Sequence, residues 1–195
     1  KKNMKTILIM PVKFNSSRLK YKNILPIKNL PMFVYSLKKV DKSKKIDGFF
    51  VSTESQKIID ICKKYNINYI KRPASLAKPN VEKQEVIVNA LKALKRKKIK
   101  PSVVISYQAN SPETRLKDLE KAIYFFKKKM LPNYPVKELI SVGKDNIQNA
   151  AFRIMTYKAA FQKTLSTKIG IFFTNAIDIH TKKDYKKIKK RIEKN

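Results

Sequence analysis

"TILIMPVKFNSSRLKYKN", Thr6 to Asn23, decides how the rest of the chain is read. Residues 6–11 form a short apolar run that reads as a buried strand. From Pro11 to Asn23 the chain then carries Lys13, Arg18, Lys20 and Lys22, with Ser16, Ser17 and two asparagines, and no acid. A loop leaving a strand with that many cations and hydroxyls is either one more piece of a basic surface or a holder for an anion such as a triphosphate. Glycine is the usual residue where backbone must approach phosphate. The chain has three glycines, none of them in this loop. Asn15 is the best substitute, because asparagine tolerates the left-handed region.

Outward from the loop, apolar runs and helical patterns alternate. A helix with Pro at its start is expected over 31–40, a strand at 48–53 and a helix over 54–65 with Ile58, Ile59, Ile61 and Cys62 inward. Thr53 and Gln56 have the spacing of a capping box. A short strand at 68–70, a helix over 82–96 (Val86, Ile87, Ala90, Leu91 and Leu94 inward) and a strand at 102–107 follow. Next come a helix over 115–129 (Leu119, Ala122, Ile123 and Phe126 inward) and strands at 139–142, 151–155 and 170–174. A last helix starts after Thr181, which pairs with Asp184 as a second capping box, and buries Tyr185, Ile188 and Ile192. Strand and helix in turn predict an α/β fold, a mostly parallel sheet with helices on both faces. Such three-layer, Rossmann-like sheets place ligands at the carboxyl ends of their strands, where the opening loop lies. With no repeat and no low-complexity linker, one domain over 1–195 is expected.

Composition sets outer bounds. The chain has 195 residues, 43 % of them hydrophobic, enough for a real core despite the charge. No apolar run approaches the roughly 20 residues of a membrane span, and the N-terminal stretch lacks the pattern of a signal peptide. One cysteine, Cys62, on the apolar side of "IIDICKKY", excludes an internal disulfide and reads as inert core. The cytoplasm is the expected compartment. The net charge of +32 by itself points to nucleic acid or an anionic surface. Against nucleic acid, only six of the 46 basic residues are arginine, and the lysines spread over nearly every surface stretch. Bidentate base readout relies on arginine.

Segment order carries more than any one segment. "PVKFNSSRLKYKN", "LPIKNLPMFVYSL", "VSTES", "RPASLA", "YQANSPE", "NAAFRI" and "IDIHTKKD" follow one another from about Thr6 to Ile188. In that order they resemble the cytidylyltransferases that make CMP-activated acidic sugars, the CMP-N-acylneuraminate and CMP-Kdo synthetases. The loop of that family reads P-A-R-G-G-S-K-R-L-P-G-K-N, and Pro11–Asn23 aligns with it without a gap. The fold implied is of the nucleotide-diphospho-sugar transferase type. The activity implied is transfer of a cytidylyl group from CTP to an acidic sugar, with Mg²⁺ as cofactor and pyrophosphate as leaving group.

The resemblance implies roles for particular residues. Pro11, Lys13, Asn15, Ser16, Arg18, Lys22 and Arg72 would bind the nucleotide. Arg18 and Lys22 would meet charge building on the leaving pyrophosphate. Lys20 reads as solvated. Gln108, Asn110 and Asn149 would face the sugar, although Asn110, Ser111 and Pro112 also read as a turn ahead of a helix. In "AIDIHTKKD", residues two apart face the same way in extended chain, so Asp178 and His180 point together. The family has D-x-D there and binds Mg²⁺ with it. His180 also reads as a residue ahead of the helix cap.

The chain departs from the pattern in four places. Phe14, Asn15 and Tyr21 stand where the loop glycines fall, His180 replaces the second Asp, and Lys83 replaces a Ser. "LISVGKDNIQNAAFRI" also leaves almost nothing of the arm through which the family dimerises, so a homodimer stays possible but without its usual contact. These departures keep a second reading open, a non-catalytic relative that binds nucleotide or a partner enzyme. Nucleic-acid binding through the lysines is the third.

Overall fold

A computed structural model describes residues 5–134, 137–162 and 168–194. Among these residues nine strands are formed: β1 (Thr6–Pro11), β2 (Pro26–Ile27), β3 (Leu30–Pro31), β4 (Gly48–Thr53), β5 (Tyr69–Lys71), β6 (Val103–Tyr107), β7 (Glu138–Val142), β8 (Gln148–Thr156) and β9 (Gly170–Phe173). The helices are α1 (Met32–Lys38), α2 (Gln56–Lys64), α3 (Lys83–Arg96), α4 (Leu116–Phe125), α5 (Leu131–Asn133) and α6 (Lys182–Lys194), with a π-helical stretch Phe126–Met130 joining α4 to α5.

Seven strands make one sheet in the order β5-β4-β1-β6-β8-β7-β9. β4 and β6 flank β1 in parallel, and β5 continues beyond β4. β8 runs antiparallel to both β6 and β7, while β9 is parallel to β7. The sheet is thus mostly parallel, as the alternation predicts, with β8 as the reversed strand. β1 sits where the order turns, with its chain neighbour β4 on one side and β6 on the other. The crevice at the carboxyl ends of β1 and β6 is the position where sheets of this kind take ligands.

The period of two in β1 divides the core. Leu8 and Met10 join the layer under α1, α2 and α4, while Ile7 and Ile9 face α3 on the opposite side. Every residue expected to point inward on α3 and α4 is buried. On α2, Ile58, Ile59 and Cys62 are buried and Ile61 is half-buried; on α6, Ile188 and Ile192 are buried and Tyr185 half-buried. A third cluster ties α6 to the small hairpin β2–β3 through Ile27, Met32, Ile179, Ile188 and Ile192.

Local signals were corrected in three places. Thr53 and Gln56 do not form a capping box: α2 begins after Ser55, whose backbone N–H donates to Thr53 Oγ1 (3.2 Å). Thr53 ends a buried strand, so its hydroxyl closes the strand-to-helix turn instead. The reciprocal box at α3 is formed by Glu82 and Glu85. The β2–β3 hairpin had no advance signal, because its two-residue turn is Lys28-Asn29, both left-handed (φ 46° and 60°), in place of a glycine pair. The Thr181–Asp184 box is present, with Thr181 N–H on Asp184 Oδ2 (2.8 Å) and Asp184 N–H on Thr181 Oγ1 (3.1 Å). Between β7 and β8 stand only residues 143–147, closed by Gly143 N–H on the Ile147 carbonyl (2.8 Å). A tight hairpin stands where a long arm would leave the sheet.

Candidate functional site

The loop after β1 wraps one side of a cleft of about 690 Å³. Pro11, Lys13, Asn15, Ser16, Arg18 and Lys22 all line it, as do Arg72, Gln108, Asn110, Asp178 and His180 from distant segments. The structure therefore brings together every residue expected at the site except Asn149. That residue lines an adjoining hollow of about 620 Å³, whose walls also include Asp178 and His180. Its side-chain amide donates to Thr174 Oγ1 (2.6 Å) and the Ala176 carbonyl (3.2 Å).

The loop holds its shape without glycine. Asn15 does not take the left-handed conformation; Tyr21 does (φ 54°, ψ 24°), just before the helical turn that carries Lys22. Asn23 is buried and its amide donates to the Lys13 carbonyl (2.8 Å), which closes the loop upon itself. Lys13 Nζ reaches the Lys78 carbonyl (3.1 Å), and burial followed by Arg72 lowers its pKa.

Arg72, the residue after β5, supports the root of this loop. Its side chain is fully buried, with Nη1 donating to the Ser52 carbonyl (2.8 Å) and Nη2 to Glu54 Oε2 (2.7 Å). Nη2 also lies 3.4 Å from the Val12 carbonyl, and Glu54 Oε1 accepts from Phe14 N–H (3.2 Å). Arg72 and Glu54 thus fasten the start of the loop to the end of β4. Glu54 had no sequence signal for this role, since the contact spans 40 residues.

The opposite wall comes from "IDIHTKKD". Ile179 is fully buried, while Asp178 and His180 on either side of it face the cleft, as extended chain requires. The Ile179 backbone is a crossing point. Its N–H donates to the Asn110 carbonyl (2.8 Å), and its carbonyl accepts from Asn110 Nδ2 (3.3 Å) and from Lys22 Nζ (3.1 Å). The segment after β6, the segment ahead of α6 and the loop therefore meet at one residue.

Asp178 accepts the Ser111 hydroxyl on Oδ1, and its Oδ2 is 3.8 Å from His180 Nε2. Burial pushes the Asp178 carboxyl above its usual range, against the pull of Ser111, His180, Lys83 and Lys22. Burial and then Arg18 lower Lys22, and the same two causes hold His180 towards its neutral form. Asp184 also accepts from the His180 backbone N–H (3.0 Å), so the cap of α6 fixes the backbone that carries the imidazole.

Two site residues escaped the sequence reading. Ser111, read as turn, orients Asp178. Lys83, noticed only as a departure, is the first residue of α3 and lines the cleft as well. In both cases the partner, Asp178, is far along the chain, so no local pattern could mark it. Lys20 borders the cleft but is exposed, in keeping with its reading as solvated.

The comparisons agree with this geometry. A family profile described as "Cytidylyltransferase" matches residues 7–189. The pseudaminic acid cytidylyltransferase and UDP-2,4-diacetamido-2,4,6-trideoxy-beta-L-altropyranose hydrolase of Helicobacter pylori is 30% identical over 95 residues, 48% of this chain and 18% of that protein. 3-Deoxy-manno-octulosonate cytidylyltransferase 2 of Hydrogenovibrio crunogenus is 26% identical over 125 residues, 64% of this chain and 48% of that protein. The matches thus span less than half the length of either relative. Among solved structures, CMP:2-keto-3-deoxy-manno-octonic acid synthetase complexed with CTP superposes with a TM-score of 0.78 at 12% identity, covering 97% of this chain and 99% of that one. That likeness establishes the nucleotide-diphospho-sugar transferase fold, and the profile spanning nearly the whole sheet places the chain in the cytidylyltransferase family of nucleotidyltransferases.

Proposed function

We propose that this protein transfers a cytidylyl group from CTP to a carboxylated sugar, releasing pyrophosphate. The observation that carries the reading is the meeting of the loop after β1 with Asp178 across one cleft at the β1–β6 crevice. Lys13, Arg18 and Lys22 would hold the phosphates. Their charge is fixed before the substrate arrives, so it is available when negative charge builds on the leaving pyrophosphate. The sugar would enter from the adjoining hollow beside Asn149 and approach the α-phosphate past Asp178 and His180. The short turn at 143–147 leaves that hollow open.

Mg²⁺ fits the donors in a limited way. Among the described residues no three of His, Cys, Asp and Glu gather into a cluster. Asp178 supplies one carboxylate, oriented by Ser111, and a magnesium ion held by one carboxylate and substrate phosphates is a common arrangement. When bound there, the ion would neutralise phosphate charge and polarise the reacting phosphorus. His180, a nitrogen donor, is poorly suited to it.

The test is pyrophosphate release from CTP and Mg²⁺ with a panel of acidic sugars. Release with one of them is expected. Folded protein that releases none with any sugar overturns the reading. The lone carboxylate favours one alternative, a non-catalytic relative. Tight CTP binding in calorimetry without turnover would establish it.

A further inference from the structure

Six cations line the cleft, Lys13, Arg18, Lys20, Lys22, Arg72 and Lys83, against the single carboxylate of Asp178. Arg72 is neutralised by Glu54. The others find no carboxylate in hydrogen-bond contact among the described residues: Lys13 and Lys22 donate to backbone carbonyls. The Lys83 side chain makes no hydrogen bond or ion pair among the described residues, and the charges it interacts with are Asp178, Arg18 and Lys22. Asp178 is already engaged by Ser111 and His180.

Lys83 is exposed and lines the cleft, where desolvation and then Arg18 lower its pKa. Packing several ammonium groups around one carboxylate is unfavourable in the empty protein, and a bound polyanion removes the penalty. Position adds to this. Lys83 lines the cleft together with the loop residues Arg18 and Lys22, close enough to both for their charges to interact, and it also lines a small side cavity of about 90 Å³ with Gln108.

Resting on the cytidylyltransferase reading, we propose that Lys83 is a further phosphate-binding residue, and that the cleft holds CTP by fixed cations with little need of a divalent ion for binding. Metal is then wanted for turnover more than for affinity.

Calorimetry with CTP in EDTA and in excess Mg²⁺ tests this, on the wild type, Lys83→Ser, Lys83→Arg and Lys97→Ser, the last an exposed lysine at the other end of α3. The wild type should bind CTP in EDTA within a few-fold of its affinity with Mg²⁺. Lys83→Ser should lose about tenfold or more in EDTA, the scale of one charged phosphate contact. Lys83→Arg should keep most of the affinity, and Lys97→Ser should match the wild type. Thermal melts confirm that all four are folded. If the wild type binds CTP but Lys83→Ser loses nothing, or no more than Lys97→Ser, the inference falls alone. The same holds if wild-type binding vanishes in EDTA. A wild type that binds no CTP in either condition overturns the inference together with the function it rests on.

Discussion

The ring of Tyr21 lies against that of Phe14, with centroids 4.8 Å apart and planes tilted by 46°, inside the loop that borders the cleft. Both stand where the resembled loop pattern has glycine. Tyr21 takes the left-handed conformation that a glycine would take freely. For a residue with a side chain this costs roughly 1–2 kcal/mol. The ring contact offsets part of that, and Lys57 Nζ lies 5.0 Å from the centre of the Phe14 ring. Two aromatics thus stiffen a loop that glycines would leave loose.

A double-mutant cycle in urea unfolding measures the pair. Tyr21→Gly relieves strain but loses the contact, so its own effect should be small. Phe14→Gly should cost more, because Phe14 packs on the core. The coupling between the two should be about 0.5–1.5 kcal/mol, the range for aromatic pairs. Strictly additive effects would mean that the rings merely coincide.

Arg18→Ala and Lys22→Ala should each weaken CTP binding by roughly 10- to 150-fold, the equivalent of about 1.5–3 kcal/mol for a charge-assisted contact. Lys190→Ala removes the same charge from the exposed face of α6, outside the cleft, and should change little. Titration calorimetry reads all three. Equal losses at the three positions would show a diffuse polycation and remove the loop from the mechanism.

His180→Asp places a second carboxylate near Asp178, in place of the imidazole now 3.8 Å from it. Hard cations prefer oxygen, so half-maximal turnover should need less Mg²⁺, and turnover should rise. An acid at the start of α6 also suits the helix dipole, worth about 0.3–1 kcal/mol. Melting temperature and Mg²⁺ dependence are therefore measured together. A higher melting temperature with an unchanged Mg²⁺ profile would take His180 out of the metal site.

Cys62 is fully buried on α2, and burial pushes its thiol from 9.0 up to about 12. The unfolded thiol loses its proton near the ordinary value while the native one keeps it. Between those pH values the unfolded state binds fewer protons, so the thiol's contribution to stability falls as pH rises, by about 1.4 kcal/mol per unit. Cys62→Ala removes that slope and leaves a cavity cost that does not vary with pH. The gap in unfolding free energy between wild type and variant should therefore shrink above pH 9.0 and stay constant below it. A gap that is flat throughout would mean the native thiol is accessible to water.

The division between what the sequence determined and what folding decided follows the range of the interactions. The apolar run of Thr6–Pro11, the helical spacing of Val86, Ile87, Ala90, Leu91 and Leu94, and the Thr181–Asp184 box are short-range patterns, and each appears where its residues place it. The placement of Asp178 and His180 on one side of extended chain is of the same kind. Which strand would lie beside β6 is not local: β8, returned along β7 by a short turn, inserts between β7 and β6, far from β6 in sequence. The left-handed residue of the loop was misplaced for a similar reason. Asparagine has the better intrinsic propensity, but Tyr21 gains a ring contact with Phe14 that no propensity contains. Arg72 and Glu54 become the fastening of the loop, and Lys83 a wall of the cleft, only when segments tens of residues apart converge. The sequence therefore determined the layers and the chemical character of the site. The tertiary structure decided which charges share it, because Coulomb and desolvation energies depend on distances through space that chain spacing does not record.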